Sequence, residues 1–323
     1  MEMVAAAKMR KAVEAALNTR TYAKMAWDLL VNLSSGEKEG VGLLNVRPVK
    51  RMLVILITGN RGLCGSFNSN IIKKTAMQLA NPQNIGRQRM EGKVLEPAET
   101  IEIDVLGIGK KGAEFSKKMK YNLIASYTDL SDTPKLNDIM PVAKTAIADY
   151  EAGKYDKVVV AYTDFKSAIA QIAKLRQVLP VSKIDLEKMM AGDGERGKGK
   201  GESGTGDAAG RGTGDGGTPV ASPSFQEGAQ GGVAEVALND YLFEPNRTEV
   251  LKIILPRLVE TQIYQSLLES AASEHSSRMM AMRNASDAAT DMIGELTMEF
   301  NKARQSKITQ EIAEIVGGAA ALE

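Results

Sequence analysis

Two glycine-rich turns carry the residues whose types and spacing could do chemistry. The first is Gly107-Ile108-Gly109-Lys110-Lys111-Gly112, a G-x-G-x-x-G placed between an apolar run and a helical one, with Asp129 and Asp132 downstream. In a dinucleotide enzyme such a turn brings a pyrophosphate against the N–H groups of a helix start, and the acid about twenty positions on takes the ribose hydroxyl. Gly107, Gly109 and Gly112 would then serve a NAD(P)-dependent oxidoreductase. Against that chemistry, the turn follows the second strand rather than the first, Lys110 and Lys111 occupy positions that would line it, and no catalytic acid or histidine accompanies it. The reading preferred here is a tight turn that lets strand and helix pack closely, with no cofactor.

The second turn, Thr58-Gly59-Asn60-Arg61-Gly62-Leu63-Cys64-Gly65, could offer backbone N–H groups to a phosphate, but it lacks the Gly-Lys-Ser/Thr ending of a nucleotide loop. Cys64 is the single cysteine, which excludes an internal disulfide and fits a reducing compartment; with no second thiol to resolve an oxidised one, it is expected to be packed and inert. His275 is the single histidine, set between Glu274 and Ser276. One imidazole far from one thiol supports neither a metal site nor a nucleophile with its base, so His275 is expected on a helix surface. The methionines of Arg278-Met279-Met280-Ala281-Met282-Arg283 suit helix packing better than metal binding.

The elements that must position these turns follow from hydrophobic pattern. Met52 to Ile57 is a continuous apolar run, the mark of a strand covered on both faces, and Phe67 to Ala80 returns to helical spacing. Strands are then expected at Ile101 to Leu106, Leu123 to Ser126 and Lys157 to Tyr162, with helices at Lys110 to Lys120 and Ile139 to Tyr150. Ser167 to Val181 is open between helix and strand, with a strand favoured near Pro180. The alternation predicts a small doubly wound α/β domain over 48–190.

The rest of the chain is organised by its ends. Pro256 to Val316 contains one glycine, Gly294, and at about 1.5 Å per residue would make a rod about 90 Å long. Inside it Ala289, Ile293, Leu296, Phe300 and Ala303 follow at steps of three and four, the seam of a coiled coil, which requires a partner helix. Ala6, Met9, Val13, Ala16, Arg20, Ala23, Trp27 and Leu30 repeat at the same steps near the other end. The fold class expected is therefore α/β plus a long α-helical coiled coil, its N- and C-terminal helices paired antiparallel as a stalk, with the small doubly wound α/β domain between them in the chain and at one end of the stalk. The divisions are 1–33 for the first stalk helix, 48–190 for the domain, and 256–323 for the second stalk helix. Between them, 191–236 holds 15 of the chain's 30 glycines and few large apolar residues, so it is expected to be disordered. Residues 237–255 form a segment with a short helical turn, opened by Asn246 and Glu249 at capping-box spacing.

Composition narrows the function classes. A net charge of +1 gives no argument for a nucleic-acid partner, no run approaches the length of a spanning helix, and no signal-peptide pattern opens the chain, so a soluble chain without direct membrane insertion is expected.

Several segments together resemble the gamma subunit family of the F-type ATP synthase. They are Met1-Glu2-Met3-Val4-Ala5-Ala6-Ala7-Lys8-Met9-Arg10, the turn from Arg61 to Asn68, Asp240-Tyr241-Leu242-Phe243-Glu244-Pro245, and the tail from Asn301 to Ala319. The resemblance implies a central rotor shaft with no active site of its own. It would couple proton or sodium flow through a membrane c ring to conformational cycling of catalytic beta subunits. It implies alpha and beta subunits, an epsilon subunit and the c ring as partners, and a peripheral position on the cytoplasmic face of the bacterial plasma membrane. By position, Arg304, Gln305 and Thr309 match residues that hydrogen-bond loops of the surrounding subunits, Met1 and Arg278 match neighbours of that contact, and Tyr241, Phe243 and Glu244 match the foot on the c ring. Two departures stand out: members of the family usually carry further helical turns before the position of Met1, and 191–236 lacks the thiol pair of photosynthetic relatives, so thiol control is not expected. The rivals are the oxidoreductase above and a non-motor coiled-coil scaffold.

Overall fold

The structure is a computed structural model that describes residues 1–34, 42–90, 93–98, 100–129, 131, 133–181 and 246–320. The glycine-rich stretch 191–236 and the foot residues Tyr241, Phe243 and Glu244 lie outside the described residues. In chain order the elements are α1 (Glu2–Ser34), β1 (Arg51–Ile57), α2 (Phe67–Leu79), α3 (Pro82–Gly86), β2 (Gln88–Met90), β3 (Lys93–Leu95), β4 (Glu102–Ile108), α4 (Lys110–Lys118), β5 (Asn122–Tyr127), α5 (Leu136–Glu151), β6 (Lys157–Phe165), β7 (Gln171–Leu179) and α6 (Arg247–Ala320).

Five strands form one sheet in the order β5-β4-β1-β6-β7, and the β2–β3 pair stands apart as a small hairpin. β4, β1, β6 and β5 run parallel, with Val54 of β1 opposite Val105 of β4 and Val159 of β6. The run of apolar residues in β1 is continuous because both of its faces are covered. Leu53, Ile55 and Ile57 belong to a core shared with α5 and α6, whereas Met52, Val54 and Leu56 belong to a second core with Ile71 and Leu79 of α2. Burying each of these side chains contributes about 1.5–3 kcal/mol, which makes the strand's place in the middle of the sheet strongly determined.

β7 answers the open question at Ser167 to Val181. It pairs antiparallel with β6 through a tight turn in which Lys166 and Ser167 donate their N–H groups to the Ala170 carbonyl. At this end of the sheet Asp164 is buried, with Lys174 Nζ at 2.8 Å and Lys166 Nζ at 3.4 Å. Burial alone would push its carboxyl up; the two ammonium groups outweigh it and hold Asp164 below the ordinary carboxylate range.

The terminal helices pack against each other more extensively than any other two elements, in antiparallel sense. Ala5, Ala12 and Ala16 of α1 are buried, and small residues there let the two backbones approach closely. Two expectations need correction. The long helix does not begin at Pro256: α6 starts at Arg247, where the Glu249 N–H donates to Asn246 Oδ1 at 2.8 Å, and Pro256 sits inside it. The proline removes one helical hydrogen bond, and the carbonyl that loses its donor belongs to exposed Lys252, where water can replace it. Nor does the seam at Ala289–Ala303 meet α1. Ile293, Leu296 and Phe300 are 64%, 58% and 67% exposed. Length explains this, since the 74 residues of α6 span about 110 Å and the 33 of α1 about 50 Å, so half of the longer helix has no counterpart in the shorter.

Candidate functional site

The turn after β4 is closed by the turn after β1. Gly109, at φ +92°, lies so close to Thr58 that a Cβ there would stand 2.1 Å from the Thr58 carbonyl oxygen. The N–H groups that open α4 are already taken: Lys110 donates to Asn60 Oδ1 at 3.0 Å, Lys111 to the Gly59 carbonyl at 3.4 Å, and Gly112 to Thr58 Oγ1 at 2.8 Å. A pyrophosphate would need those same donors. The cavity beside them, lined by Thr58, Asn60, Arg61, Gly109, Ser270 and Glu274, has a volume of about 50 Å³. A site for a drug-sized or cofactor-sized molecule needs about 300 Å³ or more. Gly107, Gly109 and Gly112 thus serve close packing.

The turn from Gly59 to Gly65 faces α6. A Cβ on Gly59 would meet the Glu274 carboxyl at 2.9 Å, and one on Gly65, itself at φ +54°, would lie 3.2 Å from Ser277 Oγ. The turn is held from its own side by Asn68, whose Oδ1 accepts from the Gly59 N–H at 2.8 Å and whose Nδ2 reaches Cys64 Sγ at 3.1 Å. From α6, Arg278 Nη2 donates to Glu274 Oε1 at 2.5 Å and reaches the Gly62 carbonyl at 3.5 Å, while its Nη1 lies 3.2 Å from His275 Nδ1. Burial first, and the Glu274 carboxylate second, push the Cys64 thiol up; Arg278 and the backbone N–H groups of Asn68 and of Cys64 itself oppose them without prevailing. A thiol held protonated is a poor nucleophile.

His275 corrects the sequence reading, being 4% exposed rather than on a helix surface. It lies beside Ala271, Glu274 and Arg278 on the side of α6 that faces Thr58, Asn60 and Gly109, and nearly the opposite side of the helix carries serines that bind the domain. Ser273 donates to the Thr163 carbonyl at 3.2 Å, Ser276 to the Ala168 carbonyl at 2.6 Å, and Ser277 to the Cys64 carbonyl at 2.7 Å. Sequence reasoning missed these serines. The signal was five of them, at 266, 270, 273, 276 and 277, in a helix interior where serine is a mediocre former with a tendency to bond backbone carbonyls.

Beyond Met282 every α6 residue whose surroundings are described is exposed. Arg304, Gln305 and Thr309 stand there together, Thr309 Oγ1 donating back to the Gln305 carbonyl at 2.9 Å. Met1 is exposed as well. Arg278 is not brought near this group: 26 residues of helix separate it from Arg304, about 40 Å along the axis, and its guanidinium is engaged within the chain. Among the described residues no helix is long and apolar enough to cross a membrane, and no cluster of side chains could hold a metal ion.

A family of proteins described as ATP synthase matches residues 1–322, and the ATP synthase gamma chain of Roseiflexus castenholzii is 36% identical over the whole of this chain and 91% of its own length. The chain belongs to the ATP synthase gamma-chain family. The gamma chain of Chloroflexus aurantiacus is 35% identical, again over all of this chain and 91% of the relative. Among solved structures, the central stalk and c ring of the Tetrahymena thermophila mitochondrial ATP synthase contains a chain with the same fold, at a TM-score of 0.53 and 21% identity, covering 88% of this chain and 97% of that one. Membership of the gamma-chain family, together with the sealed Gly107–Gly112 turn, overturns the oxidoreductase reading.

Proposed function

We propose that the chain is the central rotor shaft of an F-type ATP synthase, coupling proton or sodium flow through a membrane c ring to conformational cycling of catalytic beta subunits. The observation that carries the reading is the second half of α6, which leaves the domain and continues from Arg283 to Gly318 with its apolar seam uncovered. A large apolar stripe in solvent marks a surface that another protein covers. A single asymmetric rod within a ring of similar sites touches each differently, so its rotation biases each site in turn between binding states.

In this reading alpha and beta subunits surround the free half of α6, and Arg304, Gln305 and Thr309 hydrogen-bond their loops, the guanidinium suiting carboxylates. Met1 lies at the edge of that contact, and Arg278 supports it from the neck below. Tyr241, Phe243 and Glu244 dock on the c ring beside the epsilon subunit. The complex sits on the cytoplasmic face of the bacterial plasma membrane. Affinity purification of the tagged chain from its own cells tests this. Recovery of alpha, beta and epsilon subunits is the expected result, and recovery of the chain without them would refute it.

A further inference from the structure

A helix that lies on a sheet through apolar contacts alone is held at its angle only by the interlocking of side-chain shapes, because hydrophobic burial is itself non-directional. A shaft that carries torque needs directional contacts where it leaves its anchoring domain, and α6 has them at that level. Ser273, Ser276 and Ser277 stand at i, i+3 and i+4, on one side of the helix. Their hydroxyls donate to carbonyls from two separate parts of the domain: Thr163 in β6 and Ala168 in the β6–β7 turn on one hand, and Cys64 in the β1–α2 turn on the other. Gln171 Nε2 adds a contact to Ser276 Oγ at 3.4 Å. The acceptors are backbone oxygens, fixed in place by the strands and turns that carry them. Turning α6 in either direction draws at least one hydroxyl away from its acceptor. The three sites lie within one helical turn and a fraction, immediately before the helix becomes exposed.

We infer that Ser273, Ser276 and Ser277 form a rotational key: positioning residues that fix the angle of α6 against the sheet and transmit torque between them. Close approach is part of the device. Gly65 is required at the Ser277 contact both by its positive φ and by the 3.2 Å that a Cβ would leave.

The inference rests on the shaft reading. Its test uses the assembled complex carrying S273A, S276A and S277A together, a change that removes three hydroxyls and favours the helix. Two quantities are read: ions translocated per ATP hydrolysed in sealed vesicles, and the angular spread of a probe on the c ring while the catalytic end is stalled. The expected result is a loss of ions per ATP and a broader spread, with S277T alone, which keeps the hydroxyl, matching the unaltered chain. A triple variant with the unaltered chain's ion ratio and angular spread would overturn the key. So would a loss of ions per ATP accompanied by an unchanged spread. Failure of the unaltered chain to assemble with alpha and beta subunits would instead count against the shaft reading itself.

Discussion

The hydroxyl of Ser277 donates to the carbonyl oxygen of Cys64 at 2.7 Å, across 213 positions of sequence. It ties the long helix to the loop that follows the central strand, and that strand is buried on both faces. Whatever moves α6 therefore acts on the most firmly held element of the domain rather than on its rim.

The packing of the two glycine turns sets a sharp expectation for Gly109. In G109A the new Cβ meets the Thr58 carbonyl and the backbone keeps a positive φ, so the variant loses about 3 kcal/mol or more of stability, or rearranges the turn. Denaturant unfolding of the isolated chain measures it. A variant as stable as the parent would show that the turn is open.

Asp164 gives the domain an acid limb. Its carboxyl is held below the ordinary range, so its contribution is complete above the unfolded value near 4 and disappears as pH falls through the lower folded value. D164N should be less stable than the parent by about 2 kcal/mol at neutral pH, with the gap closing in acid. A gap that is constant with pH would remove the two lysines as its cause.

Arg304 and Gln305 are exposed on a helix, and exchanging both for alanine should move the stability of the isolated chain by less than about 0.5 kcal/mol. In the reconstituted complex the same change should lower ATP turnover. Turnover equal to the parent's would favour a passive scaffold.

Cys64 should resist alkylation. Buried and protonated, it reacts through local opening alone, so at pH 8 iodoacetamide should label it at least about a hundredfold more slowly than a free thiol. Labelling at the free-thiol rate would mean that the turn does not rest on α6.

The sheet was legible wherever a run of residues had one strong period. Met52 to Ile57 and Val158 to Tyr162 are apolar at successive positions, which at that length suits strands covered on both faces. β7 was less clear because Lys174, Arg176 and Gln177 interrupt its pattern, and its partners, β6 and Asp164, are set by the tertiary fold. Pro256 misled because proline so often opens a helix, whereas here one missing N–H next to an exposed carbonyl is tolerated. The burial of His275 was invisible from spacing: at this level α6 is covered on more than one side, and its buried residues there include serine, glutamate and histidine, which hydropathy alone assigns to water. The residues of the free half, Arg304, Gln305 and Thr309, came from resemblance alone, since nothing in their own pattern separates a contact from a solvated face.

One uninterrupted helix thus lives in two environments. Its amide protons up to about Met282 are sheltered by the domain and by α1, so their exchange with solvent deuterium reports opening of the whole fold. Those further along are kept only by helix–coil equilibrium, which for a lone helix in water is marginal, and they exchange orders of magnitude sooner. A profile of deuterium uptake along α6 would consequently show a step at the neck, and filling in of that step on assembly would give a direct measure of how much of the rod its surroundings grip.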